Sequence, residues 1–221
     1  CGILYNSLKN TYHRWEKTVR LFILRHGQTD LNLARKVQGH MDVDLNATGI
    51  EQAEDLAKVV REKNLRFDAI YCSPLRRALD TCEIVTGQSR DAFHVDDRIE
   101  EFDFGELEGY AYRELPGESQ KFFSAPDEFQ PAGRGETFQH LIQRITDFLE
   151  ELKTREQGNV LVASHGTAIH AMLLYFRHKE LKNFWDEDVH NCDLMIVDCI
   201  DGEYVVRDEK IAVEKKETGY L

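Results

Sequence analysis

The sequence lacks long apolar runs, an excess of positive charge and closely spaced cysteine pairs. Its apolar runs, such as 21–24 and 159–163, are far shorter than the roughly 18 residues that a membrane-spanning helix needs. Its 40 acidic side chains outnumber its 28 basic ones, and the formal net charge of −12 repels nucleic-acid backbones and anionic lipid surfaces. We therefore expect no nucleic-acid partner and no membrane partner.

Cysteine usage indicates the compartment. The five cysteines are an odd number, and no two of them have the Cys-x-x-Cys spacing. Thiols in apolar segments behave as small hydrophobic groups rather than as crosslinks. We expect a reducing environment and predict a cytoplasmic protein.

Short apolar segments alternate with amphipathic helical segments along the 221 residues. The pattern predicts strands over 19–24, 67–72, 93–95 and 159–163, and helices over 48–60, 73–86, 137–155 and 167–176. A capping box of Thr48 and Glu51 would begin the first helix. An Asp201-Gly202 turn predicts a terminal hairpin of strands 194–197 and 204–206. The alternation is typical of an α/β fold, here a three-layer α/β/α sandwich with a mostly parallel sheet.

One stretch departs from this alternation. Residues 106–136 contain three of the four prolines and show little periodicity. We expect this stretch to be a cap inserted into a single domain of residues 1–221, with a core over about 19–207. The ends, 1–18 and 208–221, are expected to be polar appendages.

Polar residues follow three of the predicted strands where each strand ends. Arg25-His26-Gly27 follows the first strand, Arg76-Arg77 comes shortly after the second, and Ser164-His165-Gly166 follows the fourth. Ligands bind beyond the carboxyl ends of parallel strands, so these residues are expected to share a pocket. Guanidinium groups bind phosphate oxygens in bidentate fashion, and a helix that begins near Gly166 adds backbone N–H groups. The pattern predicts a phosphate site, with Arg76 on the solvated side of its helix because only one of the two adjacent arginines can point inward.

Two residue types near this pocket suit phosphoryl transfer. A histidine whose tautomer is fixed by a hydrogen bond can attack phosphorus, which makes His26 and His165 candidate nucleophiles. The leaving alkoxide needs a proton, and Glu101 is the expected general acid. If the segment around it is extended, Phe102 and Phe104 face one side and Glu101 the other.

Four ordered motifs resemble the histidine phosphatase superfamily in its phosphoglycerate-mutase-like branch, which includes broad-specificity and alpha-ribazole phosphatases. They are Leu24-Arg25-His26-Gly27-Gln28-Thr29, Ser73-Pro74-Leu75-Arg76-Arg77-Ala78, Glu101 with Asp103-Phe104-Gly105, and Ser164-His165-Gly166. The resemblance covers about residues 19–207.

The resemblance implies a role for each matched residue. His26 would become phosphorylated, and Glu101 would act first as acid and then as base for an in-line water. The phosphate would be held by Arg25, Arg77 and His165, and the pocket would be lined by Asn32, Gln38, Gly39 and Gly166. The resemblance also implies no metal and no cofactor, and the sequence contains no His-Glu-x-x-His spacing.

Three functions are open at this point. The first is a metal-independent phosphomonoester hydrolase that acts on a small phosphorylated metabolite. The second is a phosphoglycerate mutase, which uses the same pocket but returns the phosphoryl group to the substrate and usually has a longer insertion than residues 106–136. The third is a non-catalytic, phosphate-binding regulatory protein. Lys36, Leu107 and Arg134 differ from residues common in the family, so the sequence leaves open which organic group the substrate carries. It also leaves open whether the protein forms a homodimer.

Overall fold

The computed structural model describes residues 19–131 and 133–212, which form one six-stranded sheet with helices on both faces. The strands are β1 (Val19–Arg25), β2 (Ala69–Cys72), β3 (His94–Val95), β4 (Gly158–Ser164), β5 (Leu194–Ile200) and β6 (Glu203–Ile211). The helices are α1 (Asp30–Leu33), α2 (Ala47–Glu62), α3 (Arg76–Thr86), α4 (Lys121–Ser124), α5 (Phe138–Arg155) and α6 (Gly166–Phe176). The strand order is β3-β2-β4-β1-β5-β6. The first four strands in this order pair in parallel, and β5 and β6 add an antiparallel hairpin, so the predicted α/β fold with a mostly parallel sheet is confirmed.

The alternation of side chains along the buried strands builds two apolar cores. Leu21 and Ile23 of β1 pack on the face covered by α5 and α6. Phe22 and Leu24 pack on the opposite face, which is covered by α2 and α3. Successive strand residues point to opposite faces of a sheet, so one continuously apolar strand serves both cores. These two cores make the three layers.

Two helix starts differ from the sequence expectation. The side-chain oxygen of Asn46 accepts a hydrogen bond from the Gly49 N–H at 2.9 Å, so α2 begins at Ala47 and the expected capping box of Thr48 and Glu51 is wrong. Asparagine is among the best N-cap residues, and Asn46 caps the helix two residues before Thr48. The helix expected from Ser73 begins at Arg76 instead, with Pro74 before its N-cap.

The C-terminal boundary is also corrected. Strand β6 continues to Ile211, which is buried and lies opposite Leu194 of β5. The expected appendage from residue 208 is therefore wrong for 208–211, because the hairpin is longer than its apolar core suggests. The expected appendages at 1–18 and 213–221 lie outside the described residues.

The 106–136 segment consists mainly of short helical turns around an aromatic cluster. Phe122 of α4 lies 4.9 Å from Phe102 and 4.7 Å from Phe104, measured between ring centroids. Phe129 and Phe138 join the same cluster. The cluster attaches this segment to the residues that follow Glu101.

Two observations concern membranes and thiols. Across residues 19–131 and 133–212, no helix has both the length and the apolar character that a bilayer crossing requires. Cys72, Cys82, Cys192 and Cys199 are buried free thiols.

A close backbone contact fixes the start of α2 against the loop after β1. A Cβ atom placed on Gly49 would lie 2.1 Å from the Gln28 carbonyl oxygen, and one on Gly27 would lie 2.5 Å from the Gly49 carbonyl oxygen. Both contacts are to backbone, which cannot rotate away. Glycine at these two positions lets the helix approach the residues next to His26.

We predict that Gly49→Ala destabilises the protein, although alanine is the better helix former. The clash should lower the free energy of unfolding by about 1–3 kcal/mol, as overpacking does. Thr48→Ala, one position away and outside the cap, should change it by less than about 0.5 kcal/mol. Denaturant unfolding measures both, and a Gly49→Ala variant as stable as the wild type would contradict the contact.

Candidate active site

Two histidines meet at the carboxyl ends of neighbouring parallel strands. His26 follows β1 and His165 follows β4, and Arg25 of β1 lies in register with Ser164 of β4. The two imidazole centroids are 5.1 Å apart, and both rings are buried. Residues separated by most of the chain are therefore brought together at one edge of the sheet by strand pairing alone.

His26 is held in one tautomer. Its Nδ1 lies 2.7 Å from the Gly27 carbonyl oxygen, which can only accept, so Nδ1 carries the proton and Nε2 carries the lone pair. Burial, with Arg77 and Arg25 nearby, holds the pKa of His26 well below its usual value. The ring is therefore neutral at pH 7, with Nε2 available as a nucleophile.

His165 is positioned by Ser73. The His165 Nε2 lies 2.7 Å from the Ser73 hydroxyl oxygen, and burial lowers the pKa of this ring as well. His165 Nδ1 is buried and has no hydrogen-bond partner among the described residues. A Ser73 hydroxyl that donates to Nε2 places the ring proton on Nδ1, which makes Nδ1 a hydrogen-bond donor.

Two buried guanidinium groups flank the histidines. Arg25 donates from Nη1 to the Val189 carbonyl at 2.6 Å, and Arg77 donates to the Gly39 and Met41 carbonyls, each at 2.8 Å. The Nε atom of each has no partner in the described part of the chain. Burial lowers the pKa of Arg77 to about 10 and also lowers that of Arg25, so Arg77 keeps its charge at neutral pH.

Arg76 lies outside this group. Its side chain is about half exposed and pairs with Asp42 and Asp44. The expectation that Arg77 points inward and Arg76 outward is confirmed by this geometry.

Glu101 is buried against the first turn of α6. Its carboxylate accepts backbone hydrogen bonds from Phe102 at 2.9 Å and from Thr167 and Ala168 at 3.2 Å each. It also interacts electrostatically with Arg25 and Arg77. Two of the helix N–H groups expected to face the phosphate thus bind Glu101, and Gly166 is the residue at which the helix begins.

Three more predicted residues lie close to this group. The side-chain oxygen of Asn32 accepts from the Thr29 N–H at 3.1 Å, and the Thr29 hydroxyl donates to Gln38 at 2.8 Å. Both Asn32 and Gln38 are buried. Gly39, at φ 53°, presents its carbonyl to Arg77, so its contribution is to the backbone frame of the pocket.

Arg144 of α5 fixes the segment that carries Glu101. Its guanidinium donates to the carbonyls of Arg98, Glu100 and Glu101 at 2.8–3.0 Å, and it forms a bidentate pair with the Glu136 carboxylate. An arginine that binds three carbonyls within four residues of main chain holds that chain in one conformation.

The sequence reasoning missed Ser73, Arg144 and Asn191. Ser73 lay inside a quoted motif but received no role. Arg144 sits on an amphipathic helix, where nothing local distinguishes it from a solvated charge. Asn191 donates to the His26 carbonyl at 2.8 Å from the loop before β5. Because β5 is antiparallel to β1, it is the start of β5 that reaches the carboxyl edge of the sheet, and a search after strand ends passes over it.

Within 19–131 and 133–212, no group of three or more His, Cys, Asp or Glu side chains is arranged to hold a metal ion.

Comparison with known proteins identifies the family. The model of the histidine phosphatase superfamily (branch 1) matches residues 21–211. The chain belongs to this superfamily. The resemblance drawn from the four motifs and the expectation of an enzyme of the phosphoric monoester hydrolase class are thereby confirmed.

The relatives are named for two different activities, phosphatase and mutase. Phosphoserine phosphatase 1 of Hydrogenobacter thermophilus is 30% identical over 185 residues, which cover 81% of this chain and 86% of that protein. A 2,3-bisphosphoglycerate-dependent phosphoglycerate mutase of Lactiplantibacillus plantarum is 28% identical over 234 residues, covering 90% and 97%. Among solved structures, a mutant phosphoserine phosphatase of Entamoeba histolytica in complex with phosphoserine superposes with a TM-score of 0.75 at 28% identity, covering 85% of this chain and 94% of that one.

The buried histidines predict how stability depends on pH. Burial lowers the pKa of His26, His165 and His170, the last to about 3, whereas unfolding restores values near 6.5. Below about pH 6.5 the unfolded chain binds protons that the folded chain does not, so the free energy of unfolding should fall with decreasing pH. Each histidine should contribute up to about 1.4 kcal/mol per pH unit.

Denaturant unfolding between pH 7.5 and 5.5 measures this slope. His170→Gln should reduce it, and His178→Gln, at an exposed position, should leave it unchanged. Equal slopes for the wild type and His170→Gln would show that His170 binds protons equally in the folded and unfolded states, which would contradict its lowered pKa.

Proposed function

We propose that the protein hydrolyses small phosphomonoesters through a phosphohistidine at His26, without a metal ion. One observation carries the proposal. Three buried donors have no partner among the described residues: Arg25 Nε, Arg77 Nε and His165 Nδ1. They belong to the imidazole whose centroid lies 5.1 Å from that of His26 and to the two guanidinium groups that, together with burial, lower the pKa of His26. Such donors bind the equatorial oxygens of a phosphoryl group and stabilise its developing charge.

In the first step, His26 Nε2 attacks phosphorus and the bond between phosphorus and the ester oxygen breaks. When the phosphate dianion is bound and offsets the positive charge of Arg25 and Arg77, Glu101 carries a proton and gives it to the departing oxygen, so the leaving group departs as a neutral alcohol. The phosphoryl group remains on Nε2, with its charge facing Arg25 and Arg77. Phosphoryl transfer depends mainly on positioning and charge stabilisation, which the two guanidinium groups supply here.

In the second step, water attacks the phosphohistidine in line with the breaking phosphorus–nitrogen bond. Glu101, now ionised, takes a proton from this water, and inorganic phosphate leaves. His26 recovers its neutral ring, and Glu101 recovers the proton that it donated. One ester and one water are consumed, and one alcohol and one phosphate are released.

The relatives support the proposed substrate class. The phosphoserine phosphatases among the relatives support a small phosphorylated metabolite. The mutase relative keeps phosphoglycerate mutase as a second candidate, because the same first step followed by return of the phosphoryl group gives mutase activity. Assays with phosphoserine and with 3-phosphoglycerate separate phosphate release from isomerisation.

We predict that His26→Asn lowers phosphatase turnover by at least about 10⁴-fold, the scale expected when a covalent nucleophile is removed. The assay uses p-nitrophenyl phosphate in the presence of a chelator. Acid quenching should trap acid-labile phosphate on the wild type but not on the variant. His178→Asn is the matched control at an exposed histidine. Phosphate trapped on His26→Asn would show that another residue is the nucleophile. A wild type that binds phosphate without turnover would favour the third function, a non-catalytic, phosphate-binding regulatory protein.

Glu101→Gln should separate protonation of the leaving group from the rest of catalysis. With phosphoserine, whose alkoxide needs a proton, kcat should fall by about 10²–10⁴-fold. With p-nitrophenyl phosphate the rate of the first step should fall much less, since nitrophenolate leaves without a proton. A burst of nitrophenol should then precede slow turnover. Glu100→Gln, at the adjacent and more exposed carboxylate, is the control. Equal losses in the burst rate and with phosphoserine would exclude Glu101 as the acid.

A further inference from the structure

Buried side chains bond both ends of the peptide group between His26 and Gly27. The His26 carbonyl accepts a hydrogen bond from Asn191 Nδ2 at 2.8 Å, and the Gly27 N–H donates to Thr81 Oγ1 at 2.9 Å. The Thr81 hydroxyl gives its own proton to the Arg77 carbonyl at 2.6 Å, so it faces Gly27 as an acceptor. An acceptor at one end and an amide donor at the other allow one orientation of this peptide, because a rotated peptide would meet like groups at both ends.

The next peptide group, between Gly27 and Gln28, fixes the tautomer of His26. Its carbonyl oxygen lies 2.7 Å from His26 Nδ1, and its N–H donates to Gln52 Oε1 at 2.9 Å. A rotation of this peptide would turn the carbonyl away from Nδ1 and break both bonds. The Gln52 side chain therefore opposes any movement that would separate Nδ1 from its acceptor.

The glycine between the two peptides makes these restraints necessary. A Cβ atom on Gly27 would lie 2.5 Å from the Gly49 carbonyl oxygen, so the close approach of α2 requires glycine here. Glycine has more accessible backbone conformations than any other residue. The side chains that limit this freedom are at most 2% exposed and come from α2, α3 and the loop before β5, in the order Gln52, Thr81 and Asn191.

We propose that three positioning residues, Gln52, Thr81 and Asn191, hold the loop after β1 for phosphoryl transfer. By restraining the peptides on either side of Gly27, they keep His26 in the tautomer whose lone pair is on Nε2. The link to phosphoryl transfer rests on the proposed function, whereas the effect on the imidazole is a property of the protein without substrate.

The test uses Thr81→Val, which keeps the shape of the side chain and removes its hydroxyl. Thr81→Ser retains the hydroxyl and tests for rescue. Thr86→Val is the matched control, because the Thr86 hydroxyl donates in the same way to the Cys82 carbonyl, at the last residue of α3. Gln52→Met tests the second peptide separately, so the inference stays testable if Thr81→Val does not fold. Thermal unfolding identifies the variants that are folded.

Two measurements should change in Thr81→Val and in Gln52→Met. In isotope-labelled protein, NMR shows which ring nitrogen carries the proton, and the signals missing from His26→Asn are those of His26. The wild type should have the proton on Nδ1, and both variants should have a mixture of tautomers. The rate of the first step with p-nitrophenyl phosphate should fall by about tenfold or more, since misplacing a reacting group by about 1 Å can cost on the order of 10²-fold. Inhibition by inorganic phosphate should stay within about twofold of the wild type, because Arg25 and Arg77 remain.

The outcomes separate this inference from the proposed function. Thr81→Ser should restore the single tautomer, and Thr86→Val should retain it. A single Nδ1 tautomer in a folded Thr81→Val or Gln52→Met would overturn the inference, and so would a mixture in Thr86→Val, because it would indicate a general loosening of α3. Phosphate inhibition weakened as much as the first step would also overturn it, since that indicates displaced arginines. Mixed tautomers with a first step as fast as in the wild type would support the restraint on the imidazole and overturn His26 as the nucleophile.

Discussion

The architecture of the site depends on the burial of two positive charges at the carboxyl edge of the sheet. Arg25 and Arg77 are at most 1% exposed, and neither takes part in an ion pair between described residues. Their guanidinium groups are instead held by the carbonyls of Val189, Gly39 and Met41. Taking an unpaired charge out of water costs several kcal/mol, so the fold carries a positive site whose natural complement is an anion.

This positive site determines the protonation of the two histidines and the position of Glu101. Two guanidinium groups and a low-dielectric surrounding disfavour further positive charge, so His26 and His165 are neutral. A neutral imidazole is what an attack on phosphorus requires. The same environment draws the Glu101 carboxylate inward, where the first turn of α6 supplies N–H donors. The groups that the proposal assigns as nucleophile, phosphate donors and acid are therefore placed by one electrostatic arrangement.

The sequence predicts most of the fold because its strands are short, apolar and separated by clear helices. β1 and β4 are apolar on both faces, and this pattern has few alternatives to a buried parallel strand. The start of α2 is harder to predict, because Asn46 and Thr48 are both good caps and only the folded chain shows the Asn46 side chain bonded to the Gly49 N–H. The length of β6 was missed because its outer residues are charged.

The candidate site is predictable as far as the motifs extend. Arg25, His26, Arg77 and His165 follow strand ends, so topology brings them together without knowledge of packing. Arg144 and Asn191 could not be found this way. Their contacts with Glu101 and His26 depend on how α5 and the antiparallel hairpin settle on the parallel sheet, which no local pattern encodes.

The two outer strands of the sheet determine how it behaves toward other chains. At one edge, β3 is only His94–Val95, too short to template a partner strand. At the other, β6 carries Arg207, Asp208, Glu209 and Lys210 in succession, and charges of both signs there disfavour the addition of an apolar strand. In the described part of the chain, the central strands β1 and β4 are apolar, whereas both edge strands disfavour pairing with another chain. The sheet should therefore resist aggregation at high protein concentration.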